Sequence, residues 1–118
     1  MTNREEEEVV ETYSCEKRPG FKDDKEKVRP DLILDGMSRA IMSVAEVGTF
    51  GAKKYTEDGW AHVADGVKRY KAAMDRHRLL SATEENDPES GILHAAHLAW
   101  NALAVLELML RDKENKGA

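Results

Sequence analysis

Residues 91–110 read GILHAAHLAWNALAVLELML, an almost wholly apolar segment that is typical of a buried helix. Apart from Glu107, the polar side chains inside it are His94, His97 and Asn101. At about 100° per residue, these three lie within an arc of roughly 60° on one helix face. A buried polar group without a hydrogen bond costs about 1–3 kcal/mol, so each of them needs a partner. This face is therefore where we predict the functional site.

The loop before this helix, residues 83–91, is acidic and offers such partners. His94 and His97 can both face one metal ion, with Asn101 one turn on to bind a substrate or orient a ligand. The alternative is a pair of core histidines bonded to acids of a neighbouring helix or loop. The tripeptide Asp87-Pro88-Glu89 suits the first turn of the helix, because proline and acids are favoured there.

Composition limits the class of protein. The chain has 118 residues, which suits one domain, and its net charge of −5 argues against a partner of duplex nucleic acid. Cys15 is the only cysteine, so no intramolecular disulfide can form. Residues 1–28 lack an apolar run typical of a signal peptide, and no segment reaches the ~20 apolar residues that span a bilayer. We expect a cytoplasmic protein without a membrane partner.

The chain divides into an acidic tail, a folded domain and a short end. Residues 1–20 are charged and are expected to be disordered, residues 21–113 form the domain, and residues 114–118 are expected to fray. Glu7-Glu8-Val9-Val10-Glu11 matches a Glu-Glu-x-x-Glu metal-binding pattern, but its place in a run of glutamates favours coincidence.

Three main helices are expected, so the fold class is all-α, a helical bundle completed by oligomerisation. The first begins with Asp31 as its cap, carries an apolar stripe that ends at Val47, and weakens at Gly48 and Gly51. A turn follows at residues 56–59, the second helix runs over about 62–82, and the third contains the histidines. The third helix is apolar on several sides, and this predicts a homo-dimer or homo-tetramer.

The second helix repeats a pair of residues after seven positions, Arg69-Tyr70 and Arg76-His77. Seven residues are nearly two turns, so the two arginines share one face. Two guanidinium groups on one face suit phosphate oxygens, whereas the alternative is that both are solvated or pair with the acidic loop.

The segment 48–55 contains two glycines and two lysines but lacks the spacing of a phosphate-binding loop. Lys53 and Lys54 can hold a triphosphate, and Tyr55 and Trp60 can stack on a base. Alternatively, the two aromatic residues are core residues at the corner between the helices. Glu46 is the only acid in the apolar part of the first helix, and it either completes a metal site or lies on the surface.

From about residue 21 to residue 108, the chain resembles the small phage-associated proteins described as dATP/dGTP diphosphohydrolases, relatives of the MazG and HisE all-α nucleotide pyrophosphohydrolases. The matching elements are Lys25, Arg29, Asp31-Leu32-Ile33, Gly51-Ala52-Lys53-Lys54-Tyr55, Trp60, Arg69-Tyr70, Ala73, Arg76-His77, Glu84, Asp87-Pro88-Glu89-Ser90-Gly91, His94, His97 and Asn101. The chain departs from the family pattern at Thr83 and Gly59.

The resemblance implies a metal-dependent enzyme of a phage-infected bacterial cytoplasm. The enzyme would use Mg²⁺ or Mn²⁺ as its cofactor and would hydrolyse a (deoxy)purine nucleoside triphosphate to a monophosphate and pyrophosphate. The wider superfamily binds its ions with Glu-Glu-x-x-Glu, whereas this chain has His94-x-x-His97 before its leucine-rich stretch. That difference keeps a second hypothesis open, a non-catalytic protein that binds or sequesters nucleotides.

Residues and resemblance together predict the following site. The catalytic residues are Glu46, Glu84, Asp87 and Glu89. The substrate-binding residues are Arg29, Lys53, Lys54, Tyr55, Trp60, Arg69, Arg76, His77 and Asn101. The metal ligands are Glu46, Asp87, Glu89, His94 and His97.

Overall fold

The computed structural model describes residues 18–117. The Glu-Glu-x-x-Glu pattern and most of the predicted acidic tail lie outside this range. The chain divides into two compact units, with the boundary between Pro30 and Asp31. Within the first unit, the described residues form turns, with a hydrogen bond from the Phe21 N–H to the Arg18 carbonyl at 3.0 Å.

The second unit is built from four α-helices, and no strand occurs within residues 18–117. The helices are α1 (Asp31–Leu34), α2 (Ser38–Lys54), α3 (Gly66–Leu80) and α4 (His94–Gly117), and a 3-10 helix (Gly59–His62) precedes α3. This confirms the predicted all-α class. Both α3 and α2 pack against α4, and the contact with α3 is the more extensive.

Two helices replace the single first helix that the sequence predicts. Asp31 starts the single turn of α1, and α2 begins only at Ser38. Between them the chain passes Gly36, where a Cβ atom would lie 2.6 Å from the Leu32 carbonyl oxygen. Helix α2 continues through Gly48 and Gly51, where weakening was predicted, and ends at Lys54, with both lysines in its last turn.

Helix α3 begins four residues later than predicted. Residues 59–62 form the 3-10 helix, and Asp65 has a left-handed backbone conformation with φ of 54°, which no α-helix can include. At Gly66 the two long helices approach closely: a Cβ atom there would lie 2.9 Å from Cδ1 of Leu108. Glycine at this position therefore sets the contact between α3 and α4.

Helix α4 begins at His94 and not at the Asp87-Pro88-Glu89 tripeptide, so that prediction was wrong. The backbone groups of the loop bond to one another instead, with Asp87 N–H donating to the Ile92 carbonyl at 2.8 Å and Gly91 N–H to the Asp87 carbonyl at 2.7 Å. At its other end α4 continues to Gly117, through residues that were expected to fray. Ion pairs four residues apart, such as Glu107 with Arg111, support this last part.

The apolar core of the described residues is small. Its buried members are Val47, Ala96, Ala104 and Val105. Large apolar side chains on the outside are far more numerous and lie mainly on α1 and α4: Leu32, Ile33, Leu34, Met37, Leu93, Leu103, Leu106, Met109 and Leu110. None of the helices in residues 18–117 is both long and apolar enough to cross a membrane.

Candidate active site

A cavity of about 910 Å³ opens between the end of α2, the 3-10 helix, α3, the acidic loop and α4. Ten of the predicted site residues line it: Lys54, Tyr55, Trp60, Arg69, Arg76, His77, Asp87, Glu89, His97 and Asn101. Aromatic, cationic, carboxylate and imidazole groups from distant parts of the chain thus line the same cavity.

The polar stripe of α4 faces inward, as its spacing predicted. His94 has no exposed surface, and His97 and Asn101 are buried. The Asn101 side-chain N–H donates to the carbonyl of His97 at 2.8 Å, which satisfies one of the buried groups within the helix itself. The histidines find their partners on α3 and in the loop.

His77 of α3 connects the two histidines of α4. Its ring stacks on the ring of His97, with centroids 4.5 Å apart, and its Nδ1 lies 2.9 Å from Nδ1 of His94. Burial lowers the pKa of His77, and repulsion from His97 and His94 lowers it further. Burial also lowers the pKa of His97, against the attraction of Asp87. Both rings are therefore neutral at pH 7 and can accept a proton or bind a metal ion.

The acidic loop holds Asp87 in place through Ser90. The Ser90 backbone N–H donates to Oδ2 of Asp87 at 2.8 Å, and the Ser90 hydroxyl lies 2.6 Å from Nε2 of His97. Burial raises the pKa of Asp87, but the hydrogen bonds from the Ser90 N–H and hydroxyl outweigh this and the pKa is lowered overall. Asp87 is therefore a carboxylate at neutral pH.

These three residues do not form a nucleophilic triad. In a triad, the acid contacts one imidazole nitrogen and the serine the other. Here the Asp87 carboxylate lies 3.9 Å from Nε2 of His97, the nitrogen that also faces Ser90. In addition, the Ser90 hydroxyl accepts a hydrogen bond from the Ile92 N–H at 3.1 Å, so its role is to orient the loop.

Three aromatic rings form one wall of the cavity. Trp100 of α4 makes edge-to-face contacts with Trp60 and Tyr70, at centroid distances of 6.0 and 5.6 Å. The Tyr70 hydroxyl donates to the Trp60 carbonyl at 2.7 Å, which joins the 3-10 helix to α3. Trp60 thus packs against its neighbours and also lines the cavity, so the predicted core position and the predicted base-stacking role are compatible.

Cationic side chains stand around the opening. Arg69 and Arg76 are exposed and line the cavity on the α3 side. Lys54 forms an ion pair of 2.7 Å with Glu89, and this hydrogen bond raises the pKa of Lys54. These three cationic side chains suit the binding of an anion with several phosphate groups.

The comparison with known families agrees with these features. A family model described as "dATP/dGTP diphosphohydrolase, N-terminal" matches residues 17–117, which include every helix described above. The chain belongs to this family. No curated protein and no solved structure matched the chain.

In this member of the dATP/dGTP diphosphohydrolase family, the group suited to a metal ion differs from the predicted ligand set. Among residues 18–117, His77, Asp87 and His94 bring ligand atoms within 4.8 Å of one another. Of the five predicted ligands, this group contains only Asp87 and His94. Its third member, His77, was predicted to bind substrate.

The other predicted site residues are not among those that line the cavity. Of the predicted catalytic acids, Glu89 lines it and is engaged by Lys54, whereas Glu46 is exposed on α2 and does not line it. Lys53 is exposed and does not line the cavity. Arg29 belongs to the first unit of this diphosphohydrolase-family chain. Glu84 lies outside the cavity, with its carboxylate 3.6 Å from Nε2 of His94.

The predicted site of this diphosphohydrolase-family chain omitted Ser90, Tyr70 and Trp100, which make contacts at the cavity, although Tyr70 and Ser90 are among the residues that carry the family resemblance. The signal for Ser90 was present, because a serine three residues after aspartate in a proline-containing loop is typical of a side-chain-capped turn. No comparable signal marks Trp100, since a tryptophan in an apolar helix is equally typical of an ordinary core.

Proposed function

We propose that the chain hydrolyses a (deoxy)purine nucleoside triphosphate of the dATP or dGTP type to a monophosphate and pyrophosphate. The observation that carries the proposal is the cavity itself, which joins an aromatic wall, two arginines and the Asp87–histidine cluster. Its volume of about 910 Å³ is in the range of small-molecule sites. The family match supports the same substrate class.

Each part of the cavity suits one part of the nucleotide. Trp60 and Tyr55 offer ring faces on which a purine can stack. Arg69 and Arg76 lie about 10 Å apart along α3, because each residue adds 1.5 Å of rise, and so reach different phosphates of the chain. Guanidinium groups bind phosphate oxygens in pairs, which fixes the position of the triphosphate.

The Lys54–Glu89 ion pair gives the site a way to respond to substrate. An incoming phosphate competes for Lys54 and releases the Glu89 carboxylate into the cavity. Glu89 then accepts a proton from the attacking water. The oxygen of that water bonds to the α-phosphorus, the bond from this phosphorus to the oxygen that bridges to the β-phosphorus breaks, and pyrophosphate leaves with that oxygen.

The proposal includes a divalent ion, Mg²⁺ or Mn²⁺, as the resemblance implies. Magnesium ions at phosphate sites are normally held by one or two carboxylates together with the substrate phosphates. Asp87 fits this role, because it is ionised and oriented by Ser90. A bound ion would neutralise phosphate charge and make the attacking water more acidic.

We further propose that the enzyme works as a homo-dimer or homo-tetramer in the cytoplasm of a phage-infected bacterium, as a branch of the MazG and HisE pyrophosphohydrolases. Support for the oligomer comes from the apolar side chains exposed on α1 and α4, which exceed the buried core. Soluble monomers rarely expose large apolar patches to water.

A second candidate function is nucleotide binding without turnover. The observation in its favour is that the two acids of the loop that line the cavity are already engaged, Asp87 by Ser90 and Glu89 by Lys54. Under this hypothesis the Lys54–Glu89 pair stays closed around the ligand, and the protein sequesters the nucleotide.

One experiment separates the two. The purified chain is incubated with each dNTP and NTP in Mg²⁺ or Mn²⁺, and the products are resolved by anion-exchange chromatography. We expect monophosphate and pyrophosphate in equal amounts, fastest from dATP or dGTP. Tight binding by calorimetry without any product would favour the second candidate, and release of orthophosphate alone would contradict both.

A further inference from the structure

We propose that His77, Asp87 and His94 hold one first-row transition-metal ion, of the Zn²⁺ or Co²⁺ class, through two imidazole nitrogens and one carboxylate oxygen. The inference deepens the proposed function, because His77 and Asp87 line the same cavity. It concerns a second ion besides the Mg²⁺ that the family resemblance implies, because the Asp87 carboxylate has one oxygen for each ion, and it can be tested without nucleotide.

The geometry of the three side chains already approaches that of a metal site. Their ligand atoms lie within 4.8 Å of one another, and Nδ1 of His77 is 2.9 Å from Nδ1 of His94. Two nitrogens that bind one ion at about 2.1 Å lie about 3.0–3.4 Å apart, so a small opening of this pair admits an ion. His94 has no exposed surface, and it is the first residue of α4.

The buried ring of His94 is poorly satisfied without an ion. Within residues 18–117, its Nε2 has no hydrogen-bond partner, and the nearest carboxylate, that of Glu84, is 3.6 Å away. If Nδ1 carries the proton and donates to His77, Nε2 presents a lone pair towards that carboxylate. If Nε2 carries the proton, it has no acceptor at hydrogen-bond distance.

A bound ion removes this conflict. Nδ1 of both histidines would then direct a lone pair at the metal, and the proton of His94 would lie on Nε2, on the side of Glu84. A carboxylate behind the distal nitrogen of a ligating histidine is the usual second partner in such sites, because it fixes the ring and its tautomer. Glu84 is thus a positioning residue and Asp87, oriented by the Ser90 N–H, is a ligand.

The donor set decides the class of ion. Imidazole nitrogen suits zinc, cobalt and nickel, whereas magnesium prefers oxygen ligands and gives up water reluctantly. Three protein ligands leave further coordination positions for water or a phosphate oxygen, which is typical of catalytic sites. The histidines of α3 and α4 therefore favour a nitrogen-binding ion over Mg²⁺.

The test uses the untagged full-length chain after chelator treatment, because tag histidines would bind the same ions. CoCl₂, ZnCl₂ and MgCl₂ are titrated separately by calorimetry, and Co²⁺ binding is also followed by visible absorption. We expect one Co²⁺ or Zn²⁺ per chain, bound at least roughly 100-fold more tightly than Mg²⁺. Equal affinities for Mg²⁺ and Co²⁺, or no saturable Co²⁺ and Zn²⁺ binding, would overturn the inference.

Variants locate the site. His77→Ala and Asp87→Ala should abolish the Co²⁺ absorption bands, while His62→Ala, which removes the exposed histidine of the 3-10 helix, should leave them unchanged. Glu84→Gln should weaken binding by about 10–100-fold without removing the bands. Circular dichroism and melting curves establish that each variant is folded, and loss of the bands in His62→Ala alone would refute the assignment.

A measurement on the wild-type chain covers the case in which a ligand variant fails to fold. In ¹⁵N-labelled protein, Zn²⁺ should shift the Nδ1 resonances of two of the four imidazoles, those of His77 and His94. Shifts confined to His62 and His97 would contradict the inference. Turnover with Mg²⁺ but no Zn²⁺ binding would sink only the inference, whereas Zn²⁺ binding without turnover under any metal would sink only the proposed function.

Discussion

The ring of His77 on α3 lies parallel to the ring of His97 on α4, with centroids 4.5 Å apart and planes inclined by 10°. This contact joins the two long helices at the base of the cavity. Two protonated imidazoles could not lie this close without strong repulsion, so the contact requires that at least one ring be neutral. Protonation state and packing are therefore coupled at this position.

The first prediction concerns pH and the stability of the metal-free chain. The folded-state pKa values of His77 and His97 are lowered, mainly by burial, so the unfolded chain binds more protons below about pH 6.5. Stability is thus fully present above the unfolded pKa and is lost as the pH falls towards the folded values. We expect the melting temperature in EDTA to fall between pH 7.5 and 5.5.

Neighbouring charges do not reverse this sign. His94 and Arg76 also oppose protonation of His77, and the attraction of Asp87 is weaker than these effects together with burial. The lowered pKa of Asp87 acts in a separate window, below about pH 4. His77→Gln should flatten the slope and His62→Gln should not. A slope that is unchanged in His77→Gln would contradict the explanation.

The second prediction concerns phosphate binding by α3. Arg76→Gln removes a charged donor from the cavity, and a hydrogen bond to a charged group contributes about 1.5–3 kcal/mol. We expect KM for dATP or dGTP to rise roughly tenfold or more, with a smaller change in kcat. The measurement is steady-state kinetics of pyrophosphate release.

The matched control is Arg78→Gln on the same helix. Arg78 does not line the cavity and lies 3.6 Å from Asp75 in a largely exposed ion pair. Such pairs contribute little, so KM should stay at the wild-type value. Equal effects of the two substitutions would show that α3 acts on the substrate only through general charge.

The third prediction contrasts two glycines of the first helical segment. At Gly51, inside α2, an added Cβ meets no atom within 4 Å, whereas at Gly36 it lies 2.6 Å from the Leu32 carbonyl oxygen. Alanine is favoured over glycine in a helix interior by about 1 kcal/mol. Gly51→Ala should therefore raise the free energy of unfolding and Gly36→Ala should lower it, as measured by chemical denaturation. Stabilisation by both substitutions would show that the turn between α1 and α2 is not constrained.

The fourth prediction concerns assembly through α4. Leu106 and Leu110 are each about half exposed on this helix, although they are large and apolar. We expect light scattering at micromolar concentration to give a multiple of the 13.3 kDa chain mass. Leu106→Glu should shift the protein to smaller species, because it buries a charge at the interface. Lys71→Glu, on the exposed side of α3, should not. A wild-type species of one chain mass would refute the proposed oligomer.

Much of the site followed from helical spacing. His94, His97 and Asn101 recur at intervals that place them on one face, and this face is buried in the structure. The same reasoning brought Arg69 and Arg76 to a common side of α3, where both line the cavity. Periodicity within one helix is a local property, so it can be read from the sequence without knowledge of the neighbours.

Contacts between helices could not be predicted in the same way. The approach of His77 to His94 depends on how α3 crosses α4, and this depends on the close contact at Gly66. Likewise, the exposure of Glu46 depends on which side of α2 faces α4. The start of α4 was misplaced because the loop bonds to itself across Asp87 and Ile92, a tertiary arrangement that helix-start preferences do not include.

The central claim is that the cavity around Asp87 breaks the α–β phosphate linkage of a deoxypurine triphosphate. It is tested most directly by comparing pyrophosphate release from dATP and dGTP by wild type, Asp87→Asn and Asp75→Asn at saturating substrate and Mg²⁺ or Mn²⁺. The substitution at Asp87 should lower kcat by about 100-fold or more, whereas Asp75→Asn on the outside of α3 should leave it unchanged. Wild-type turnover by folded Asp87→Asn would contradict the account.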